Sequence, residues 1–256
     1  MEVTVRMFFV VCPLVFLAGL VDAVAGGGGL IALPAYLVAG LPPHMASATN
    51  KCSSVFGTTV STLRFLKEGR FHRQAAAVSA VTALIGSALG SRLNLLLSER
   101  VLHYVLVVLL PVIALFLLLH RDFGLDSRAE ELPPRKLKLI SGLIGLTLGA
   151  YDGFFGPGAG TFMILAFTAF AGFDLVTASG NAKVVNLCSN VAAFVTFAFA
   201  GKTVWALGLP AALCSIAGHY VGSTLALKDG AKVIRPMFFV VLALLLVRIL
   251  WGLAGG

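Results

Sequence analysis

Several stretches of this chain are apolar over the full thickness of a bilayer and carry no charge. Val101 to Leu119 contains no Asp, Glu, Lys or Arg. About 20 apolar residues cross the hydrocarbon layer as a helix. Inside lipid the backbone must satisfy its own hydrogen bonds, which leaves helices or a closed barrel. The apolar runs are continuous rather than alternating, which excludes a barrel. Composition agrees: 59% of the 256 residues are hydrophobic and 12% are charged, against about a quarter charged in a soluble domain. The mean hydropathy is +0.98. The expectation is an all-α integral membrane protein that crosses the bilayer several times.

The formal net charge is +8. The basic residues sit in short loops between apolar segments, where the positive-inside rule accounts for them. Nucleic-acid binding needs a solvated basic face, so no nucleic-acid partner is expected. Cys12, Cys52, Cys188 and Cys214 are scattered singly without CxxC or metal-ligand spacing, and read as small buried apolar residues. No metal or cofactor is expected. Arg6, an apolar stretch and Ala23 to Ala25 imitate a secretory signal with its cleavage site. That reading is rejected, because the same segment recurs in the middle of the chain.

The recurrence is extensive. Asp22 to Gly26 aligns with Asp152 to Gly156 at an offset of 130 (22 to 152). After a two-residue insertion the offset becomes 132: Ala46 to Lys51 meets Ala178 to Lys183, Gly69 meets Gly201, and Gly86 to Ser91 meets Gly218 to Ser223. Two homologous repeats, 1–120 and 139–256, are therefore expected, joined by a charged cytoplasmic linker over 121–138. Together they would form one membrane domain. Duplicated halves are common in transporters, with the site where they meet.

Each half reads as a long apolar helix (7–24; 138–152), a glycine-rich break, and a short apolar helix (29–39; 160–171). A polar helix rich in small residues follows (44–66; 175–200). Two apolar helices close each half (74–96 and 101–119; 204–226 and 231–252). The 67–73 loop and the linker carry most of the Lys and Arg and are expected in the cytoplasm, with Arg6 and Lys202 on the same side. About eight transmembrane helices result, with broken or re-entrant segments in each half. Both termini lie inside if each short helix and its polar partner make one net crossing. If they make two, the repeats are inverted. Gly86 with Gly90, Gly145 with Gly149, and Gly218 with Gly222 mark close helix contacts within the chain; a homodimer is left open.

An ionisable residue at mid-helix in lipid costs about 2.5–3.5 kcal/mol, so by default it is a functional candidate. Asp22 and Asp152, and Lys51 and Lys183, correspond through the repeat. The carboxylates suit proton coupling or structural anchoring of the breaks, and a neutral ion pair with a lysine is the alternative. Gly26, Gly27, Gly28 and Gly29 cannot hold a helix, nor can Gly156, Pro157, Gly158 and Gly160. Irregular backbone at membrane depth lines a cavity, and the helix that follows presents free N–H groups to an anion. Lys51, Ser54, Thr58 and Ser61 share one helix face, as do Lys183, Asn186 and Asn190. Thr49, Asn50 and Asn181 lie beside the lysines. Arg64 reads as a snorkelling residue nearer the loop.

The stretch from Gly19 through Asp22 and Gly26–Gly29 to Pro34, with Gly40 and Ala48 to Lys51, resembles the sulfite exporter TauE/SafE family. So do Tyr151 to Gly160 and Ala182, Lys183 and Asn186. The resemblance covers nearly the whole chain. It implies a plasma-membrane transporter, probable by name in many members, of small sulfur-containing or organosulfonate anions, by export and with proton coupling. Only the lysine of Thr49, Asn50 and Lys51 recurs in Asn181, Ala182 and Lys183, which departs from a site with identical halves.

The expected function is secondary transport of a small anion, held by Lys51, Lys183 and the helix N-termini. Thr49, Asn50, Asn181, Asn186 and Asn190 add hydrogen bonds. The partners expected are the anion, the lipid bilayer and protons. An intramembrane aspartyl protease is the enzymatic alternative, but the glycines follow each Asp, no Gly-x-Gly-Asp occurs, and no catalytic residue is assigned. A passive anion channel is the third reading. Gly26 to Gly29 lacks the Gly-Lys-Ser/Thr of a P-loop and follows a helix, so ATP-driven transport would need another subunit.

Overall fold

The computed structural model describes residues 3–98, 101, 132–234, 236–237 and 240. Every regular element among them is an α-helix: α1 (Val5–Ala25), α2 (Gly29–Val38), α3 (Pro43–Lys67), α4 (Arg73–Leu96), α5 (Pro134–Phe154), α6 (Ala159–Ala171), α7 (Leu175–Phe199) and α8 (Trp205–Asp229). Local chemistry sets their ends. Pro43 and Pro134 open α3 and α5 at the first turn, where a missing N–H leaves nothing unsatisfied. Asp174 Oδ1 accepts from the Val176 and Thr177 N–H groups at 2.9 and 3.1 Å and caps α7. Gly26 ends α1 in the left-handed region (φ 77), where an L side chain is strained.

The sequence places the start of α5 at 138, inside the linker. The helix begins four residues earlier because Pro134 supplies its first turn. The expected helix over 101–119 beyond Val101, the linker up to 131 and most of 231–252 lie outside the described residues. Of the four free thiols Cys52 is buried and the others are half-buried, so the expectation of four buried cysteines holds only for Cys52.

The six long helices form two sets. In the first, α1 and α3 run alongside α8. Gly218 and Gly222 sit against the Phe16 and Leu20 carbonyls. Farther along α8, Ser61 of α3 bonds His219, whereas Gly208 near the start of α8 meets Thr49 near the start of α3. In the second set α4 and α5 run together, Gly86 against Leu146 and Gly90 against Ala150, and Ser87 donates to the Ser189 carbonyl of α7 at 2.5 Å. The two seams use glycines 132 residues apart and partners 130 residues apart (16 to 146, 20 to 150).

At the centre α3 and α7 are antiparallel. Thr62 donates to the Lys183 carbonyl at 3.0 Å, and Thr49 accepts from the Val204 N–H just beyond α7 at 3.1 Å. The 67–73 loop therefore abuts the start of α7, where Gly180 faces the Arg70 carbonyl. Lys202 lies at the other end of α3. This corrects the expectation that Lys202 shares a side with Lys67, Arg70 and Arg73: α7 runs from that loop to Lys202, so the two lie at its opposite ends. Arg6, at the start of α1 and running parallel to α8, goes with Lys202.

The apolar surface faces outward. Phe9, Leu96, Phe199 and Leu213 are exposed, whereas Asn50, Lys51, Asp152, Lys183 and His219 are buried. Three described helices, α1, α4 and α7, are long and apolar enough to cross a membrane. The glycine seams give a direct prediction. Gly222→Val, whose Cβ meets the Leu20 carbonyl and the Ala23 methyl, is expected to destabilise by about 1–3 kcal/mol. Gly142→Ala, whose Cβ meets only the Val78 and Thr82 methyl groups at 3.4 and 3.8 Å, should be neutral or slightly stabilising. Thermal unfolding of the two variants in detergent reads the difference.

Candidate functional site

The two helix breaks meet at the centre of the molecule. The Thr161 N–H donates to the Gly26 carbonyl at 3.2 Å and its hydroxyl to the Ala25 carbonyl at 2.7 Å. Gly26 lies so close to Gly160 that a Cβ on it would stand 2.7 Å from the Gly160 Cα. Beyond the first break α2 doubles back along α1, and Ala32 faces the same cavity as Val15 and Ala18.

That cavity opens beside the breaks, with about 30 Å³ of free volume, room for a water or two. Its wall contains Asp22, Gly26, Gly28, Gly29, Asn50, Lys51, Ser54, Asp152, Gly156, Asn186 and Asn190. All eleven were picked out from sequence. The Lys51 ammonium reaches across from α3, lies 2.8 Å from Asp152 Oδ2 and donates to Asn190 Oδ1 at 2.7 Å. Ser189 donates to the same carboxylate, and Asn190 donates to Asn186. A buried ion pair of this kind stands only when each charge has further hydrogen bonds.

Asp22 is held differently. Its Oδ1 accepts from the Gly28 N–H at 3.1 Å, so the protein's own carboxylate occupies the start of α2. Its Oδ2 has no hydrogen-bond partner and lies 3.8 Å from His219 Nε2. Its backbone carbonyl accepts from the Lys183 ammonium. Two lysines and two aspartates therefore balance in formal charge.

The remaining sequence candidates lie off the cavity wall. Lys183 is fully buried behind Asp22. Thr49 binds the Val204 N–H, and the Asn181 amide donates to the Thr177 carbonyl at 2.8 Å. Gly27 accepts from the Leu30 N–H, Gly158 precedes α6 in the left-handed region, and Gly160 is covered by Gly26. Thr58, placed from sequence on the Lys51 face of its helix, also lines the wall; sequence reasoning missed Ser53, Ser215 and above all His219. The signal for His219 was present: the offset of 132 aligns it with Ser87, and an imidazole is out of place in the mostly apolar middle of α8.

An apolar exterior around a polar interior built on two broken helices is the architecture of a membrane transporter. The chain belongs to the sulfite exporter TauE/SafE family, whose model matches residues 11–249. It is 37% identical over 235 residues to the probable membrane transporter protein ORF9 of Sinorhizobium sp, covering 92% of this chain and 89% of that one. It is 34% identical over 260 residues to the probable membrane transporter protein YfcA of Escherichia coli (strain K12), covering 98% and 96%. A probable membrane transporter protein of Haemophilus influenzae is 35% identical over 237 residues, covering 93% and 92%. No solved structure matches.

Proposed function

We propose that the protein is a secondary transporter of a small anion, sulfite or an organosulfonate, working in the cell membrane with proton coupling and in the direction of export. The observation that carries this reading is the Lys51 ammonium, buried in a cavity between two helix breaks and held by Asp152 and Asn190. A substrate anion that replaces the Asp152 carboxylate on Lys51 would keep the ammonium paired while it is bound. Asn50, Asn186 and Asn190 offer amide groups to the anion's oxygens, and Ser54 a hydroxyl. Lys183 supports the site from behind by fixing the Asp22 carbonyl.

The same reading takes the two halves as inverted repeats. Its support is the antiparallel course of α3 and α7 and the matching offsets of the glycine seams. With α1 and α2 forming a hairpin that turns back, each half then makes an odd number of net crossings. The aspartyl-protease alternative needs two carboxylates sharing one proton, whereas here Asp152 is already neutralised by Lys51.

The test is a thermal-shift screen of purified protein against sulfite, sulfate, thiosulfate, methanesulfonate and carboxylates, followed by flux in proteoliposomes. A ligand at about 100 times its Kd should stabilise the fold by about 2.7 kcal/mol, and Lys51→Met should remove that gain. The reading fails if no oxyanion stabilises the protein and none crosses the vesicle membrane. Flux that ignores an imposed pH gradient would favour the passive channel.

A further inference from the structure

The two halves hold their carboxylates in different surroundings, and one of them has an imidazole where the other has none. Asp152 is satisfied by Lys51 and Ser189. Asp22 has an oxygen without a hydrogen bond, and that oxygen faces His219 Nε2 at 3.8 Å. At the offset of 132, His219 takes the place of Ser87 and Gly57 takes the place of Ser189. The two exchanges belong together. A Cβ on Gly57 would collide with the imidazole, and one on Gly19 would stand 3.1 Å from its Cδ2. Glycines on both flanking helices thus open a slot for the ring. On its far side the ring's Nδ1 meets the Ser61 hydroxyl at 3.1 Å, which fixes the plane in which Nε2 points at Asp22.

We propose that Asp22 and His219 form one proton-binding site in the cavity wall, and that loading it favours anion binding in the cavity. The inference rests on the anion-transport reading and assigns its coupling to the first carboxylate, leaving Asp152 as the counter-ion of Lys51 until the anion takes its place. The charges facing the ring are few. From α1 comes Asp22; from α7, Lys183 on the Asp22 carbonyl; from α3, Lys51 across the cavity and Arg64, which lies over the Tyr220 ring at 4.3 Å. With Asp152 these groups around the cavity balance, apart from Arg64. One added proton on the Asp22–His219 pair makes the cavity net positive, so proton and anion bind cooperatively and reciprocally. Ser61 lies ten residues beyond Lys51 along α3, about 15 Å nearer the basic 67–73 loop.

Two measurements test this on the full-length chain. In the first, nitrogen NMR of histidine-labelled protein in nanodiscs follows the ring across about pH 3 to 8, which reaches below the range in which exposed histidines titrate, with His219→Gln assigning the signal. The His219 signal is expected to titrate, and Asp22→Asn to displace its midpoint by about one pH unit or more, while Asp152→Asn displaces it less. In the second, counterflow of labelled sulfite and methanesulfonate is recorded against pH; methanesulfonate keeps its charge throughout. Wild-type flux should vary with pH by up to about tenfold per unit for one coupled proton, and His219→Gln should flatten that profile. Ser61→Ala, which leaves both titrating groups in place, should shift the profile and serves if His219→Gln does not fold. A ring that does not titrate, or that ignores Asp22→Asn, overturns the site. A His219→Gln profile that follows wild type overturns the coupling. Absence of flux in wild type removes the transport reading and the coupling with it, while the NMR result alone then decides whether the proton site exists.

Discussion

Lys51→Met is expected to abolish anion flux and lower stability by about 3–5 kcal/mol, the usual penalty for leaving one partner of a buried ion pair without the other. The orphan is Asp152, 3% exposed and left with Ser189 alone. Asp152→Asn should destabilise comparably, because it strands the ammonium, which keeps only Asn190. The double variant Lys51→Met with Asp152→Asn buries no charge at this point and should regain most of the lost stability. It should not regain flux, since nothing then attracts the anion. Thermal unfolding in detergent and sulfite counterflow in proteoliposomes, measured on all three variants, separate the structural role of the pair from its transport role. A Lys51→Met protein that still carries sulfite at the wild-type rate would remove Lys51 from the site.

Gly26→Ala should be as severe. Gly26 stands at φ 77 and its absent Cβ would press on the Gly160 backbone and the Thr161 N–H. Strain of about 1–2 kcal/mol for an L residue in this region adds to about 1–3 kcal/mol of overpacking, and backbone on both sides cannot yield as a side chain could. Gly69→Ala isolates the first contribution, since Gly69 has φ 66 and no atom within 4 Å of the added methyl. The expected order is a small loss at Gly69 and a loss two- to threefold larger at Gly26, with sulfite flux lost only at Gly26. Equal losses at the two positions would show that the contact between the breaks is unimportant.

How much of this was legible in the sequence depends on the distance over which each feature is determined. Helix ends were readable at the breaks because Gly26 and Gly156 act locally; the capping Asp174 was not singled out. The breaks and the four charged residues announced themselves by being costly in lipid. The partnership between the charges was not readable. Lys51 pairs with Asp152 and not with Asp22 because antiparallel packing of α3 on α7 carries it to the opposite half, and nothing within α3 encodes that. Thr49 and Asn181 sit two residues before their lysines, about 200° around the helix, so they face away from the cavity that Lys51 enters. His219 escaped because its role comes from Gly19 and Gly57, two absences of side chain on other helices. The helix N-termini, chosen from sequence as anion sites, proved partly occupied: the Gly28 N–H by Asp22 and the Thr161 N–H by the Gly26 carbonyl.

The membership of the two helix sets constrains how the cavity can open. One set joins α1 and α3 to α8, and the other joins α5 and α7 to α4, so each draws helices from both sides of the linker. The α1–α8 and α4–α5 seams are glycine against backbone, which resists sliding. In the proposed transport cycle, alternating exposure of the cavity would rock one mixed trio against the other about the antiparallel α3–α7 contact. The described helices of the N-terminal and C-terminal halves would not then part as two lobes, because each half lends a helix to the other's moving part.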